Sequence, residues 1–289
     1  MIITNATVVS AEYKGEYQLK TRIISGFAAA AIVAGLLYLN SFFPITVVIS
    51  LAVLAALATY EMMNNTGCIT NKAATFTAMA YSAAVQFAYN GIFFDAAALT
   101  VIYVLAVVGF IVFDHKNFGD RQITMALAMP ILMSYAFASL ERIINVTDST
   151  GLFCFVMLLV FACGSDIFAY FVGSAIGKHK LAPAISPKKT IEGAIGGLVG
   201  ATLLTVSAVF IFEAILGVDI KLWLFVAVTP VFGIVGMLGD LVASAIKRNY
   251  GIKDYGNIMP GHGGILDRMD SVLLVAPAFA LFLNYFSVV

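Results

Sequence analysis

Charge is what this sequence has least of. Only 11% of its 289 residues are Asp, Glu, Lys or Arg, against 61% hydrophobic residues and a mean hydropathy of +0.98. Soluble domains carry about a quarter charged residues. A water-soluble globule of this size could not cover its surface with so few, which excludes an ordinary soluble enzyme and a disordered chain alike. The 16 basic and 16 acidic residues cancel, which removes the net positive charge on which nucleic-acid binding relies. Cysteine is scarce too. Cys68, Cys154 and Cys163 have no metal-ligand spacing, and a disulfide framework is not expected. The polar stretch Met1 to Gln18 lacks a small-residue cleavage site, so the first apolar run is read as a span that stays.

What the sequence has in plenty is long apolar runs. Nine are readable, at roughly 23–39, 44–60, 73–89, 92–113, 124–140, 151–173, 193–216, 222–246 and 271–288. A membrane-spanning helix takes about 20 residues. The runs are continuous rather than alternating, which favours helices over a barrel. The expected fold is an all-α integral membrane protein of about nine transmembrane helices. It reads as one polytopic domain, 1–289, in which 1–160 supplies N-terminal helices and 161–289 a catalytic region. With nine spans, every Lys and Arg except Arg142 and Lys221 falls on the side of the N-terminus. The positive-inside rule then puts the N-terminus in the cytoplasm and the C-terminus on the opposite side.

Two segments on that cytoplasmic side, 173–192 and 244–270, are long and dense in polar chemistry. Asp240, Ser244 and Lys247 fall on one helix face by i, i+4, i+7 spacing. Asp240 lies about two turns, roughly 10 Å, from Lys247, close to the membrane boundary, where an ionisable group is functional by default. Pro260-Gly261-His262-Gly263-Gly264 comes after it. Such a run is poor helix and permits positive φ and close backbone approach, as a phosphate-cradling loop requires. Asp267 and Asp270 come next at i, i+3 around Arg268. Clustered carboxylates beside a glycine loop and cations suggest a divalent cation clamping phosphates, with Mg²⁺ the natural choice. Taken singly, the acids suit a helix dipole and Lys247, Arg248 and Lys253 suit anionic lipid. Their convergence within one short stretch favours a site. Upstream, Asp166, Tyr170, Gly173 and Gly177 share a helical stripe. Pro187 sets a turn, and Thr190 and Glu192 suit helix capping.

These residues carry a resemblance. Ser244, Lys247-Arg248, Lys253-Asp254, Pro260-Gly-His262-Gly-Gly264 and Asp267-Arg268-Met-Asp270 resemble the signature of the phosphatidate cytidylyltransferase (CDP-diacylglycerol synthase) family. Lys189, Thr190, Glu192 and Gly193 resemble a second block of the same family. The resemblance covers roughly 160–289; before that it extends only to hydropathy and to Leu19-Lys-Thr-Arg22. One position departs: Ala243 stands where family members often carry Glu, so the role of that acid is either dispensable here or taken by another group, with Glu192 the candidate.

The resemblance implies transfer of a cytidylyl group from CTP to phosphatidate, giving CDP-diacylglycerol and pyrophosphate in phospholipid biosynthesis. It implies an active site facing the cytosol in the cytoplasmic membrane, dependence on Mg²⁺ with K⁺ at a second site, and a homodimer that small residues such as Gly196, Gly197, Gly200 and Ala201 would let pack closely. Catalytic roles fall to Asp240, Lys247, Asp267 and Arg268, with Asp240 and Asp267 as leading metal ligands and Asp270 behind them. Substrate contacts fall to Asp166, Ser186, Lys189, Thr190, Glu192, Ser244, Arg248 and Lys253, and to the loop Pro260, Gly261, His262, Gly263 and Gly264. Two rival readings are a CTP-dependent lipid-alcohol kinase and a membrane transporter with Asp166 and Asp240 as ion sites. The one-sided gathering of polar groups and the lack of an inverted repeat speak against the transporter.

Overall fold

A computed structural model describes residues 24–89, 91–92, 95–145, 150–259 and 263–289. Among these residues each apolar run is helical. The helices are α1 (Ile24–Asn40), α2 (Ile45–Tyr60), α3 (Lys72–Tyr89), α4 (Ala96–Phe113), α5 (Asp120–Ile144), α6 (Gly151–Ile176), α7 (Ile191–Leu216) and α8 (Leu222–Asn249), then the short α9 (Leu266–Met269) and finally α10 (Val272–Tyr285). Six are long and apolar enough to cross a membrane: α2 with its terminal turn, and α4 to α8. Helices α1 and α10 are apolar but shorter. Helix α3 carries Thr75, Thr77, Ser82 and Gln86 among its apolar residues. The chain is thus a mostly helical membrane protein. Side-chain hydrogen bonds join its helices where polar groups are buried, Thr59 to Ser82 and Thr205 to Thr229, both at 2.8 Å.

Two local departures from regular helix aim side chains toward one end of the bundle. The end of α2 widens into a π turn over Glu61–Asn65. A second π turn, Val160–Gly164, sits inside α6 just ahead of Asp166. Such turns insert one residue and re-aim the side chains beyond them, often at functional sites. The segment between α6 and α7 is not the plain loop that an all-α fold implies. Strands β1 (Lys180–Ala182) and β2 (Ser186–Thr190) form an antiparallel hairpin, with Lys180 opposite Thr190 and Ala182 opposite Ser186.

Helices α6 and α7 cross closely through glycine. A Cβ at Gly197 would lie 2.5 Å from the Ser165 carbonyl oxygen, and one at Gly200 would strike the Phe168 ring. Val172 lies against Gly196 in the same way, and Ala201 is buried. The small residues expected to favour a second copy are therefore used within the chain.

Contacts between loops sort them to two ends. At one end, Asn71 donates to Asp114 at 2.9 Å, Asn65 to the Tyr255 carbonyl at 2.8 Å, and the hairpin meets α8. At the other, the Lys221 ammonium donates to the Val289 carbonyl at 2.6 Å, and Arg142 lies 5.4 Å from the centre of the Tyr89 ring.

Candidate active site

The first end holds a recess of about 670 Å³ between α6, the hairpin, α8 and α9. Strand β2 ends in Lys189 and Thr190, which are more buried than Pro187 and Lys188 before them, and so carries the Lys189 ammonium into the recess. The Lys189 ammonium lies 2.5 Å from Asp240 of α8 and 3.5 Å from Asp166 of α6. Burial disfavours its charge, but the two carboxylates outweigh that and raise its pKa. Asp166 also accepts from the Ser271 hydroxyl at 3.0 Å. One cation thus joins a strand to two helices, each too apolar to tolerate its own acid alone.

Asp270 and Asp240 both line the recess, close enough for each carboxyl to feel the charge of the other. Burial, and next the charge of Asp240, push Asp270 up to about 7. Each of two neighbouring carboxylates disfavours the charge of the other, and a bound cation would relieve that repulsion. Mg²⁺ is commonly held by one or two carboxylates, with substrate phosphates and water completing its shell. The Asp240–Asp270 pair, open to the recess, fits that donor set. Among the described residues no group of three or more His, Cys, Asp or Glu side chains is placed to hold a metal ion, so substrate oxygens would have to complete the shell.

Asp267 is built differently from the expectation that paired it with Asp240 as a leading ligand. It borders the recess, but its carboxylate is engaged from behind. Oδ1 takes the Lys247 ammonium at 2.9 Å, and Oδ2 accepts from the backbone N–H of Tyr255 at 2.7 Å and of Gly264 at 3.0 Å. Lys247 is itself buried, 5.2 Å from the centre of the Tyr255 ring. Lys247 and Asp267 therefore tie Tyr255 and Gly264 to the end of α8, and Asp270 is the acid that stands next to Asp240.

The other expected residues divide. Arg268, Ser186 and Thr190 line the recess beside Lys180 and Lys188. Thr190 also caps α7, accepting from the Gly193 N–H at 3.1 Å. Of the stripe from Asp166 to Gly177, Gly173 and Gly177 face Thr190, while Tyr170 stands exposed at the rim. Glu192 does not replace an acid at Ala243. It is committed to the hairpin, where it accepts from the Lys178 N–H at 3.1 Å and pairs with His179 Nδ1 at 2.6 Å. Ala243 accepts the Tyr255 hydroxyl on its carbonyl at 2.9 Å. Arg248 and Lys253 are exposed, and neither they nor Ser244 line the recess. Gly263 has the positive φ that its loop predicts, +87°. Pro260, Gly261 and His262 lie outside the described residues.

Behind Asp270 a second cavity of about 510 Å³ opens, walled by Met62, Met133, Val242, Leu266, Leu274 and Pro277 among other apolar side chains. Asp270 borders both cavities. A polar, cation-rich recess and an apolar one thus meet at one carboxylate.

Comparison with known proteins gives the chain a family. The cytidylyltransferase family model matches residues 20–286. The chain belongs to the cytidylyltransferase family. Its relatives include the phosphatidate cytidylyltransferase of Bacillus subtilis, 41% identical over 192 residues, which is 66% of this chain and 67% of the relative. The phosphatidate cytidylyltransferase of Staphylococcus haemolyticus is 38% identical over 180 residues, 62% of this chain and 68% of the relative. That of Staphylococcus aureus strain COL is 37% identical over the same length. The family match reaches well into the N-terminal half, where the resemblance read from sequence extends only to hydropathy and Leu19-Lys-Thr-Arg22. That half supplies one residue that sequence reasoning missed: Glu61, at the end of α2, fully buried against the segment that carries Asp267 and Asp270.

Proposed function

We propose that this chain transfers the cytidylyl group of CTP to phosphatidate, forming CDP-diacylglycerol and releasing pyrophosphate. One observation carries the reading: a cation-lined polar recess and an apolar cavity share Asp270. A nucleotide triphosphate suits the first and a diacyl lipid the second, so their phosphates meet at the Asp240–Asp270 pair. Family membership and the names of the relatives support the same substrates.

A phosphate oxygen of the lipid attacks the α-phosphorus of CTP. A new P–O bond forms there and the α–β bridge breaks, so pyrophosphate leaves with the electron pair. The nucleophile is already an anion near neutrality, and no general base is needed. What the reaction does need is charge neutralisation where several anionic oxygens converge. Lys189 and Arg268, with Lys180 and Lys188 at the rim, supply fixed positive charge to those oxygens. Asp240 and Asp270 would hold Mg²⁺, with Asp267 at its border, and the bound ion would neutralise the triphosphate and orient its α-phosphate. Asp166 and Asp240 hold Lys189 in place.

We extend the reading to topology. The loop pairing at two ends, together with the bias of Lys and Arg, supports nine spans, an N-terminus in the cytoplasm and a C-terminus outside. The recess then faces the cytosol, where CTP is found. The experiment is direct. The purified chain in micelles containing phosphatidate should consume CTP and release one pyrophosphate per CDP-diacylglycerol formed. A chelator should stop turnover and added Mg²⁺ restore it. Turnover that persists in chelator would refute the metal assignment.

A further inference from the structure

Glu61 is a fully buried acid in a membrane helix, and membrane acids are costly unless something specific holds them. Its partners are backbone amides of the far half of the chain. Oε1 accepts from the Ile265 N–H at 3.0 Å and Oε2 from the Leu266 N–H at 2.9 Å. Among the described residues no ammonium or guanidinium pairs with it. Bonds from N–H groups to an ionised carboxylate are stronger than neutral ones. They fix the two residues that immediately precede Asp267.

Two glycines show how tightly the carboxylate is seated. A Cβ added at Gly256 or at Gly264 would strike the Glu61 carboxyl group. Gly264, read from sequence as part of a phosphate cradle, thus faces Glu61. Asn65, one helical turn on, donates to the Tyr255 carbonyl at 2.8 Å, and the Tyr255 N–H in turn donates to Asp267. The π turn of α2 therefore grips the chain at two places, Tyr255 and Ile265–Leu266.

We propose that Glu61 is a positioning residue: it latches the N-terminal helices to Ile265 and Leu266 and so sets where Asp267, Arg268 and Asp270 stand in the active site. The inference rests on the cytidylyltransferase reading for its catalytic consequence, while the latch itself does not. Glu61→Gln keeps the size of the side chain but turns one acceptor into a donor facing an N–H. Glu61→Asp keeps the charge and withdraws it.

The test uses the full chain in phosphatidate-containing micelles. Glu61→Gln should lower kcat/KM by about tenfold or more and raise the Mg²⁺ concentration for half-maximal rate several-fold, the range seen when groups orienting metal ligands are removed. Hydrogen exchange at Ile265 and Leu266 should quicken in the same variant. Wild-type Mg²⁺ dependence together with wild-type exchange would overturn the proposal. Loss of activity only in proportion to loss of folded protein, with Mg²⁺ dependence unchanged, would also overturn it, since that is what a purely structural role predicts. If Glu61→Gln does not fold, a second pair decides. Gly264→Ala should impair turnover by pushing on the carboxylate, and Glu61→Asp/Gly264→Ala should regain part of it. A double variant no better than Gly264→Ala contradicts the latch. Wild-type protein that makes no CDP-diacylglycerol would sink the catalytic reading alone, and the exchange experiment would still decide on Glu61.

Discussion

Lys189 sits where a strand and two helices meet, 2.5 Å from Asp240 and 3.5 Å from Asp166. Replacing it with Met would leave two acids facing each other in a recess that must also accept a triphosphate. Turnover of Lys189→Met should fall by more than about 100-fold, the scale of removing one well-placed charge-stabilising group. Asp240→Asn and Asp270→Asn should be equally damaging to turnover while the proteins still insert and purify. The Lys247–Asp267 pair should behave otherwise. Removing one partner of a buried ion pair costs about 3–5 kcal/mol, so Asp267→Asn and Lys247→Met should lower thermal stability as well as activity. Unchanged melting in both would remove the tie assigned to them. Asp166, Lys189, Asp240 and Asp270 were legible in the sequence because a charge in so apolar a chain stands out. Glu61 was not. It lies in a polar stretch, Glu61-Met-Met-Asn-Asn, that reads as a helix end, and its partners are more than 200 positions away. No local pattern encodes such a contact. Asp267 was legible as important, but its engagement by Lys247 and two amides depends on how the segment folds back.

At the level of elements, the nine apolar runs mark nine helices among the described residues, within a few positions at each end. Lipid leaves a helix as the way for a single segment to satisfy its own backbone. Their irregularities were not legible. A π turn needs one extra residue in a helix, and nothing in Val160-Phe-Ala-Cys-Gly164 distinguishes it from ordinary apolar helix. The β hairpin was hidden for a related reason: its strands have three and five residues, too few to show alternation. The crossing of α6 and α7 carries the prediction at this scale. Gly200→Leu would drive a branched side chain into Phe168. Overpacking of this kind costs about 1–3 kcal/mol. It should also part Asp166 from Lys189. The variant should melt earlier and turn over more slowly than wild type, whereas Gly109→Ala, with nothing near its Cβ, should leave turnover intact.

For the molecule as a whole, few charges were available and the fold concentrates them. The acids that matter come from α2, α6, α8 and the segment around α9, brought to one end by loops that pair with one another. That sidedness is testable with single cysteines in a Cys163→Ala background, Cys163 being the exposed native thiol. Asp219→Cys and Lys253→Cys, both at exposed positions, should be labelled by a membrane-impermeant reagent from opposite sides of sealed vesicles. Labelling of both from one side would break the nine-span topology. The most direct measurement on the central claim tracks the phosphorus atoms of CTP. The chain is supplied with phosphatidate and Mg²⁺, and with CTP labelled at either the α- or the γ-phosphate. Cytidylyl transfer predicts that α-label enters the lipid and γ-label leaves as pyrophosphate. Lipid that carries γ-label, with CDP left in solution, would contradict it and make the chain a lipid kinase.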